Sequence, residues 1–287
     1  MEVLASIAEV RARLALVRRG GGTIGFVPTM GALHAGHGAL IERARREPDF
    51  LVVSIFVNPL QFDRRDDYEA YAVNLPDDLE FCRARGADLV FAPGPEAMYP
   101  AAQRTFVEVA GLSDVLCGRF RPGHFRGVAT VVAKLFHIVA PDRAYFGQKD
   151  AQQLAIIRRM VADLDLPVEI VPVATVREAD GLALSSRNRR LSAEERCVAP
   201  VLYRALEAAR ERIAAGCVVA AEVRETGWAM MAQFPLMRVE YFEVVDPGSL
   251  ASVERITGPV RIAAAVWVGG TRLIDNVECN AASCDIL

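Results

Sequence analysis

The chain has 287 residues, 52% hydrophobic and 24% charged, which supplies a sizeable core and excludes a disordered or fibrous protein. Its formal net charge is −3 and its basic residues are scattered, so the basic patch of a nucleic-acid binder is missing and no nucleic-acid partner is expected. No apolar run nears the roughly 20 residues of a membrane span, charge interrupts the N-terminal MEVLASIAEVRARLALVRRG, and the six cysteines lack C-x-x-C spacing, so the expectation is a cytoplasmic protein with free thiols, no membrane partner and no zinc site.

Ile7, Val10, Leu14 and Val17 recur at helical spacing and predict a helix over 6–19, ended by Gly20 to Gly22. A short strand over 23–28 follows, then a helix over 36–46 and a second strand over 51–57. A helix over 76–85 and a third strand over 88–92 come next. A helix over 125–139, a strand over 144–146, a helix over 151–164 and a strand over 168–173 complete the series. Apolar strands alternating with amphipathic helices predict βαβ units and a Rossmann-like parallel sheet. Ligands of such sheets bind beyond the C-terminal ends of the strands.

The pattern changes after about Glu178. A long helical stretch over 192–216 has Ser192 as its N-cap, with Pro200 marking a bend or a restart. A helix over 218–233 and apolar segments over 239–245, 260–268 and 272–277 follow. They predict a smaller C-terminal α+β domain, antiparallel, and divide the chain into residues 1–177 and 178–287. Cys279 and Cys284, the closest cysteine pair, fall at its end.

The sharpest local signal is PTMGALHAGH, residues 28–37, where a strand end, a glycine-containing loop and a helix start coincide. Such a junction turns backbone N–H groups and the positive end of a helix dipole toward an anion. Gly36 permits close approach of a phosphate. His34 and His37, three residues apart, can share one face of the first turn and donate hydrogen bonds to a phosphoryl group as its charge grows. Alternatively, the two imidazoles ligate a metal or only cap the helix.

Asn58 and Gln61 of FVNPLQF follow the second strand. Amides there can donate to and accept from a hydroxy acid, or Asn58-Pro59 is only a turn. Lys149 of FGQKD is a mobile point charge suited to phosphates, and Asp150 can cap the next helix. LSSRN places two hydroxyls and a guanidinium in one loop, suited to the β- and γ-phosphates of a nucleotide or to an ordinary polar turn. Asp77 and Asp78 could hold Mg²⁺, or open a helix as LPDD. Arg121, His124 and Arg126 stand at a helix entrance, as anion guides or as capping and solvated residues.

H-x-G-H after a PTMG turn resembles the signature of the HIGH superfamily of adenylate-forming and nucleotidyl-transferring enzymes, and its specific form is similar to the pantothenate synthetase family. FVNPLQF (Phe56 to Phe62), AMYP (Ala97 to Pro100), RPGHFRGVATVVAKLF (Arg121 to Phe136), AYFGQKDAQQ (Ala144 to Gln153) and LALSSRN (Leu182 to Asn188) agree in that family's order. The resemblance spans nearly the whole chain. It implies ATP-dependent condensation of pantoate with β-alanine through a pantoyl-adenylate, with Mg²⁺ as cofactor and a homodimer as the assembly. No covalent enzyme intermediate is implied.

The resemblance also implies site residues. ATP would be held by Met30, Gly31, Ala32, Leu33, His34, Ala35, Gly36 and His37. Gly147, Gln148, Lys149 and Asp150 would join them, with Val176, Leu184, Ser185, Ser186 and Arg187. His34, His37 and Lys149 would be catalytic. Gln61 and Gln153 would hold pantoate with Asn58 beside them, and Gln61 would also meet β-alanine. Leu184 stands where the family often has Met, a nearly volume-conserving change. Residues 1–177 would bind nucleotide and pantoate, and 178–287 would act as a lid that keeps water from the adenylate. A dinucleotide- or CDP-alcohol-forming enzyme of the superfamily would share H-x-G-H but is not expected to share NPLQF, GQKDAQQ or the C-terminal domain.

Overall fold

The computed structural model describes residues 1–63, 68–69, 71 and 74–280; Cys284 lies outside them. The chain divides into two compact units. One comprises Met1–Asp114, Gly118–Gln148 and Ile156–Ala174; the other Val115–Cys117, Lys149–Ala155 and Thr175–Leu287. No helix among the described residues is long and apolar enough to cross a membrane.

In chain order, the elements up to Val173 begin with β1 (Glu2–Leu4), α1 (Ile7–Arg19), β2 (Ile24–Thr29), α2 (Ala35–Ala44) and β3 (Phe50–Ile55). Then come α3 (Leu75–Ala84), β4 (Leu89–Phe91), α4 (Pro95–Met98), α5 (Cys117–Phe120) and α6 (His124–Val139). β5 (Arg143–Gly147), α7 (Ala151–Asp163) and β6 (Glu169–Val173) complete them. All six strands are parallel, in the order β1-β4-β3-β2-β5-β6. β2, β3 and β4 are buried almost throughout, which is why they read as continuous apolar runs rather than as alternating ones. β1 escaped the sequence reading because it is three residues long and mostly exposed. Ser6, expected as the first residue of the helix, instead caps α1, accepting from the Glu9 N–H at 3.4 Å.

Strand order reverses at β2. β3 and β4 lie on one side of it, β5 and β6 on the other. The loops leaving β2 and β5 therefore start at a switch point, where open α/β sheets bind ligands.

The second unit carries α8 (Ala193–Val198), α9 (Val201–Ala214), α10 (Ala220–Ala232) and the strands β7 (Met237–Val245), β8 (Val260–Val268) and β9 (Thr271–Cys279). Its sheet is antiparallel, in the order β7-β8-β9. The helix expected over 192–216 is two helices, because Pro200 restarts the chain rather than bending it. Gly269 and Gly270 form the two-residue turn between β8 and β9, with Gly269 at φ +53°. Leu202, Leu206, Val223, Met231, Phe242, Ile262, Val266 and Leu273 share its core. Gly227 is required there, since a Cβ would lie 2.1 Å from Phe242 Cζ.

Candidate active site

The loop after β2 is held from below and from the side. Thr29 Oγ1 donates to the Ser54 carbonyl at 2.7 Å and accepts from the Gly31 N–H at 3.2 Å. Gly31 and Ala32 both adopt left-handed backbone, at φ +84° and +51°. This aims two successive amides at one carboxylate. Asp78 accepts from Ala32 N–H at 2.9 Å and from Leu33 N–H at 2.7 Å, one oxygen each, and is 4% exposed.

That arrangement corrects two expectations. The anion received by the Ala32 and Leu33 amides is the protein's own carboxylate. Asp78 is likewise occupied as a loop clamp, which does not suit it to ligate Mg²⁺. Asp77, its exposed neighbour, accepts from Asn74 Nδ2 at 2.6 Å. Among the described residues no group of three His, Cys, Asp or Glu side chains is arranged to hold a metal ion.

His34 is the N-cap of α2, its Nδ1 accepting from the Gly36 N–H at 3.1 Å. His37 Nδ1 accepts from the His34 N–H at 3.3 Å, closing a capping box made of two imidazoles. A nitrogen that accepts a backbone N–H carries no proton, so each neutral ring has its hydrogen on Nε2. Capping therefore uses Nδ1 of each ring, and the N–H donor is at Nε2. The ring centroids lie 4.2 Å apart.

After β3 the chain makes a 3-10 turn over Pro59–Gln61. Asn58 is 1% exposed. Its Nδ2 donates to Gln61 Oε1 and to the Gly127 carbonyl, both at 3.1 Å. Its Oδ1 accepts from Tyr99 OH at 2.8 Å and from Leu60 N–H at 3.4 Å. With both donors and both lone pairs used, Asn58 positions Gln61 and has no capacity left for pantoate, a third correction.

Gln61 is 8% exposed, its Nε2 directed at Met30 Sδ at 2.8 Å. Its carbonyl accepts from His124 Nδ1 at 2.7 Å and from Arg121 at 3.4 Å, and Arg121 also donates to His124 Nε2 at 3.1 Å. α6 approaches this turn closely only because residue 127 is glycine: a Cβ there would lie 2.2 Å from the Leu60 carbonyl oxygen. Burial pushes the Tyr99 phenol up, so it remains a donor.

The second unit gathers another set. Gly147 ends β5 in the first unit, and Gln148–Asp150 form a 3-10 turn. Lys149 Nζ lies 3.8 Å from Asp150 Oδ2, and its main-chain oxygen accepts from Asn276 Nδ2 at 2.9 Å. Gln152 is buried, bonded to the Cys117 N–H at 3.0 Å and the Val115 carbonyl at 2.7 Å. Gln153 beside it is half-buried.

Val176 accepts from the Leu184 N–H at 3.0 Å, which closes the 176–184 loop. Arg177 anchors that loop on Gly181 O at 3.1 Å and on Asp275, whose carboxyl is pushed up by burial against the opposing pull of Arg177. Ser185 Oγ caps the short turn Ser186–Arg190 by accepting from the Arg187 N–H at 3.2 Å. Lys149, Ser185, Arg187 and Asn188 line one pocket with Ala183, Leu202 and Arg272. Tyr99, Gly127, Gln152, Asn276 and Arg272 were not read from the sequence as site residues. Tyr99 sits inside the AMYP signal, but nothing in the chain marks its partner 41 residues away.

A parallel α/β sheet whose switch-point loop opens into a histidine-capped H-x-G-H helix defines the adenylate-forming, nucleotidyl-transferring class. The family model described as Pantoate-beta-alanine ligase matches residues 2–278, and the chain belongs to that family. The pantothenate synthetase of Moorella thermoacetica is 53% identical over 277 residues, covering 96% of this chain and 98% of the relative. The crystal structure of pantothenate synthetase from Thermus thermophilus superposes with a TM-score of 0.91 at 50% identity, covering 96% of this chain and 99% of that one. That of the pantoate-beta-alanine ligase from Francisella tularensis, complexed with beta-gamma ATP and beta-alanine, gives 0.80 at 32% identity, with 96% and 97% covered.

Proposed function

We infer that this chain is an ATP-dependent ligase that joins pantoate to β-alanine. It first makes pantoyl-adenylate and pyrophosphate, then pantothenate and AMP. The observation that carries this reading is the match of residues 2–278 to the ligase family. The Nε2–H tautomer imposed on both histidines supplies the donors that α-phosphorus chemistry needs.

In the first half-reaction a pantoate carboxylate oxygen attacks the α-phosphorus and pyrophosphate departs. Negative charge grows on the α-phosphoryl oxygens and on the leaving group. His34 and His37 donate from Nε2 to the former, and Lys149 and Arg187 meet the latter. Gln61, kept in place by Asn58, and Gln153 are the amides that hold pantoate. In the second half-reaction the β-alanine amine attacks the acyl carbon, loses a proton and expels AMP. Gln61 serves the amine as well.

Met30 to His37, Gly147 to Asp150, Val176 and Leu184 to Arg187 form the ATP-contacting set. Asp78 is committed to the Ala32 and Leu33 amides and Asp77 to Asn74, so Mg²⁺ would enter with the nucleotide and would offset phosphate charge. The assembly is a cytoplasmic homodimer, which sedimentation of the purified protein tests. Pyrophosphate exchange into ATP should require pantoate and be unsupported by other small acids. Formation of ADP and phosphate in place of AMP and pyrophosphate would overturn the adenylate reading.

A further inference from the structure

The pocket of the second unit has three cations on its wall, Lys149, Arg187 and Arg272, and no carboxylate among the described residues that line it. The first two belong to the FGQKD and LSSRN signals. Arg272 belongs to neither. It stands on β9 opposite Trp267, one residue beyond the start of the strand.

Arg272 is held with unusual thoroughness for a side chain outside the motifs. Its side chain is 10% exposed and that of its partner Glu240 is 8% exposed. Nε donates to Glu240 Oε2 at 2.9 Å, and Nη2 donates to the same oxygen. Nη2 also reaches Cys117 Sγ at 3.5 Å. Glu240 accepts in turn from Trp267 Nε1 at 3.1 Å, and Cys117 Sγ meets Tyr241 OH at 3.0 Å. The register of β7 against β8 shifts between Val239 and Tyr241, so Glu240 is a bulged residue. Bulges re-aim side chains and recur beside active sites. Nη1 makes no hydrogen bond to any described residue.

A buried carboxylate–guanidinium pair adds little net stability, because desolvation offsets its attraction. A bulge, an indole and a thiol that all fix such a pair therefore argue for a positional task. The planar guanidinium can satisfy a carboxylate along its Nε–Nη2 edge while presenting Nη1 to a second anion, which an ammonium on a flexible stem does poorly. We propose that Arg272 is a third binding cation for the β- and γ-phosphates of ATP and for the pyrophosphate product, with Glu240 as the residue that positions it. This rests on the ligase reading, in which the pocket receives pyrophosphate.

Calorimetric titration of the full-length protein with inorganic pyrophosphate tests this without any turnover. The variant is the pair Arg272→Gln with Glu240→Gln, which leaves no buried charge stranded. It should bind pyrophosphate roughly 10- to 150-fold more weakly, the effect of losing a hydrogen bond to a charged group, while its affinity for AMP is unchanged. A merely structural role would move both ligands together, and that result would overturn the proposal. Should the pair fail to fold by circular dichroism, Arg272→Lys keeps the buried charge, and unaltered pyrophosphate binding in it is equally fatal. Lys149→Ala and Arg187→Ala separate the two levels. If they weaken pyrophosphate binding and the Arg272 variants do not, Arg272 is excluded and the pocket stands. If no variant changes it, or the unaltered protein does not bind pyrophosphate, the pocket assignment falls and this proposal with it.

Discussion

The carboxylate of Asp78 accepts the backbone N–H of Leu33 at 2.7 Å, joining positions 45 residues apart in the chain. With the Ala32 bond beside it, it fixes a loop whose backbone visits the left-handed region twice. Asp78→Asn replaces one accepting oxygen by a donor that faces an N–H. The expected loss is about 1.5–3 kcal/mol of stability, the worth of a hydrogen bond to a charged group, read by chemical denaturation. The Mg²⁺ concentration that gives half-maximal rate should not change. A shift to higher Mg²⁺ would restore Asp78 as a metal ligand.

Gln61→Ala and Gln153→Ala should weaken pantoate binding roughly 10- to 150-fold, the same charged hydrogen-bond range. Affinity for a non-hydrolysable ATP analogue should hold. Gln152→Ala should differ, because its amide is buried on Cys117 and Val115. It should lower the melting temperature. Loss of ATP affinity with retained pantoate affinity in the first two variants would invert this assignment.

The Asn58 hub predicts graded effects at a distance. Tyr99→Phe removes one donor to Asn58 Oδ1 and should cost about 0.5–1.5 kcal/mol, the net worth of an ordinary hydrogen bond. Gly127→Ala should do more, since the Leu60 backbone must shift to admit the methyl group. Both should raise KM for pantoate and leave KM for ATP alone. Steady-state kinetics with each substrate varied in turn decides; a rise confined to ATP counts against the hub.

His37→Ala and Lys149→Ala should slow adenylation far more than aminolysis of supplied pantoyl-adenylate. Removing a preorganised donor to a developing oxyanion costs about 2.7–4 kcal/mol, or roughly 10²–10³ in rate. Pyrophosphate has left before the second half-reaction. Single-turnover measurement of each step, with circular dichroism as a check on folding, would show equal losses if these residues only position the intermediate.

The thiols should react in order of burial. Burial pushes Cys82 up to about 12 and Cys279 up to about 11, so both remain protonated thiols near pH 8, whereas Cys197 is exposed. Brief alkylation at that pH followed by peptide mapping should mark Cys197 and spare Cys82, Cys117 and Cys279 until denaturant is added. Rapid labelling of Cys82 in the folded protein would contradict its placement.

Periodicity made the sheet of the first unit readable, because its buried strands stand out between amphipathic helices and each is followed by a motif. Pro200 announced a bend or a restart in the long helix, and the fold takes the restart. The identities of His34, His37, Gln61, Lys149 and Arg187 were visible in short motifs. What hid was partnership. Asp78 reads as a helix-opening acid, and Asn58 as an amide at a strand rim. Their carboxylate and amide are consumed by groups brought near only by folding. Arg272 hid for the same reason: its carboxylate partner sits at a bulge that no residue pattern announces.

The two imidazoles at the start of α2 use Nδ1 as an acceptor from the backbone. A proton added there would place a donor against an N–H, so an imidazolium cannot keep either bond. Acid would thus unseat the helix start in the act of charging the site. Amide exchange at Gly36 should quicken in His34→Ala, which removes the accepting nitrogen, and unchanged exchange there would count against the cap. In these rings charge and shape are one variable: a neutral imidazole holds the helix start, and a protonated one cannot.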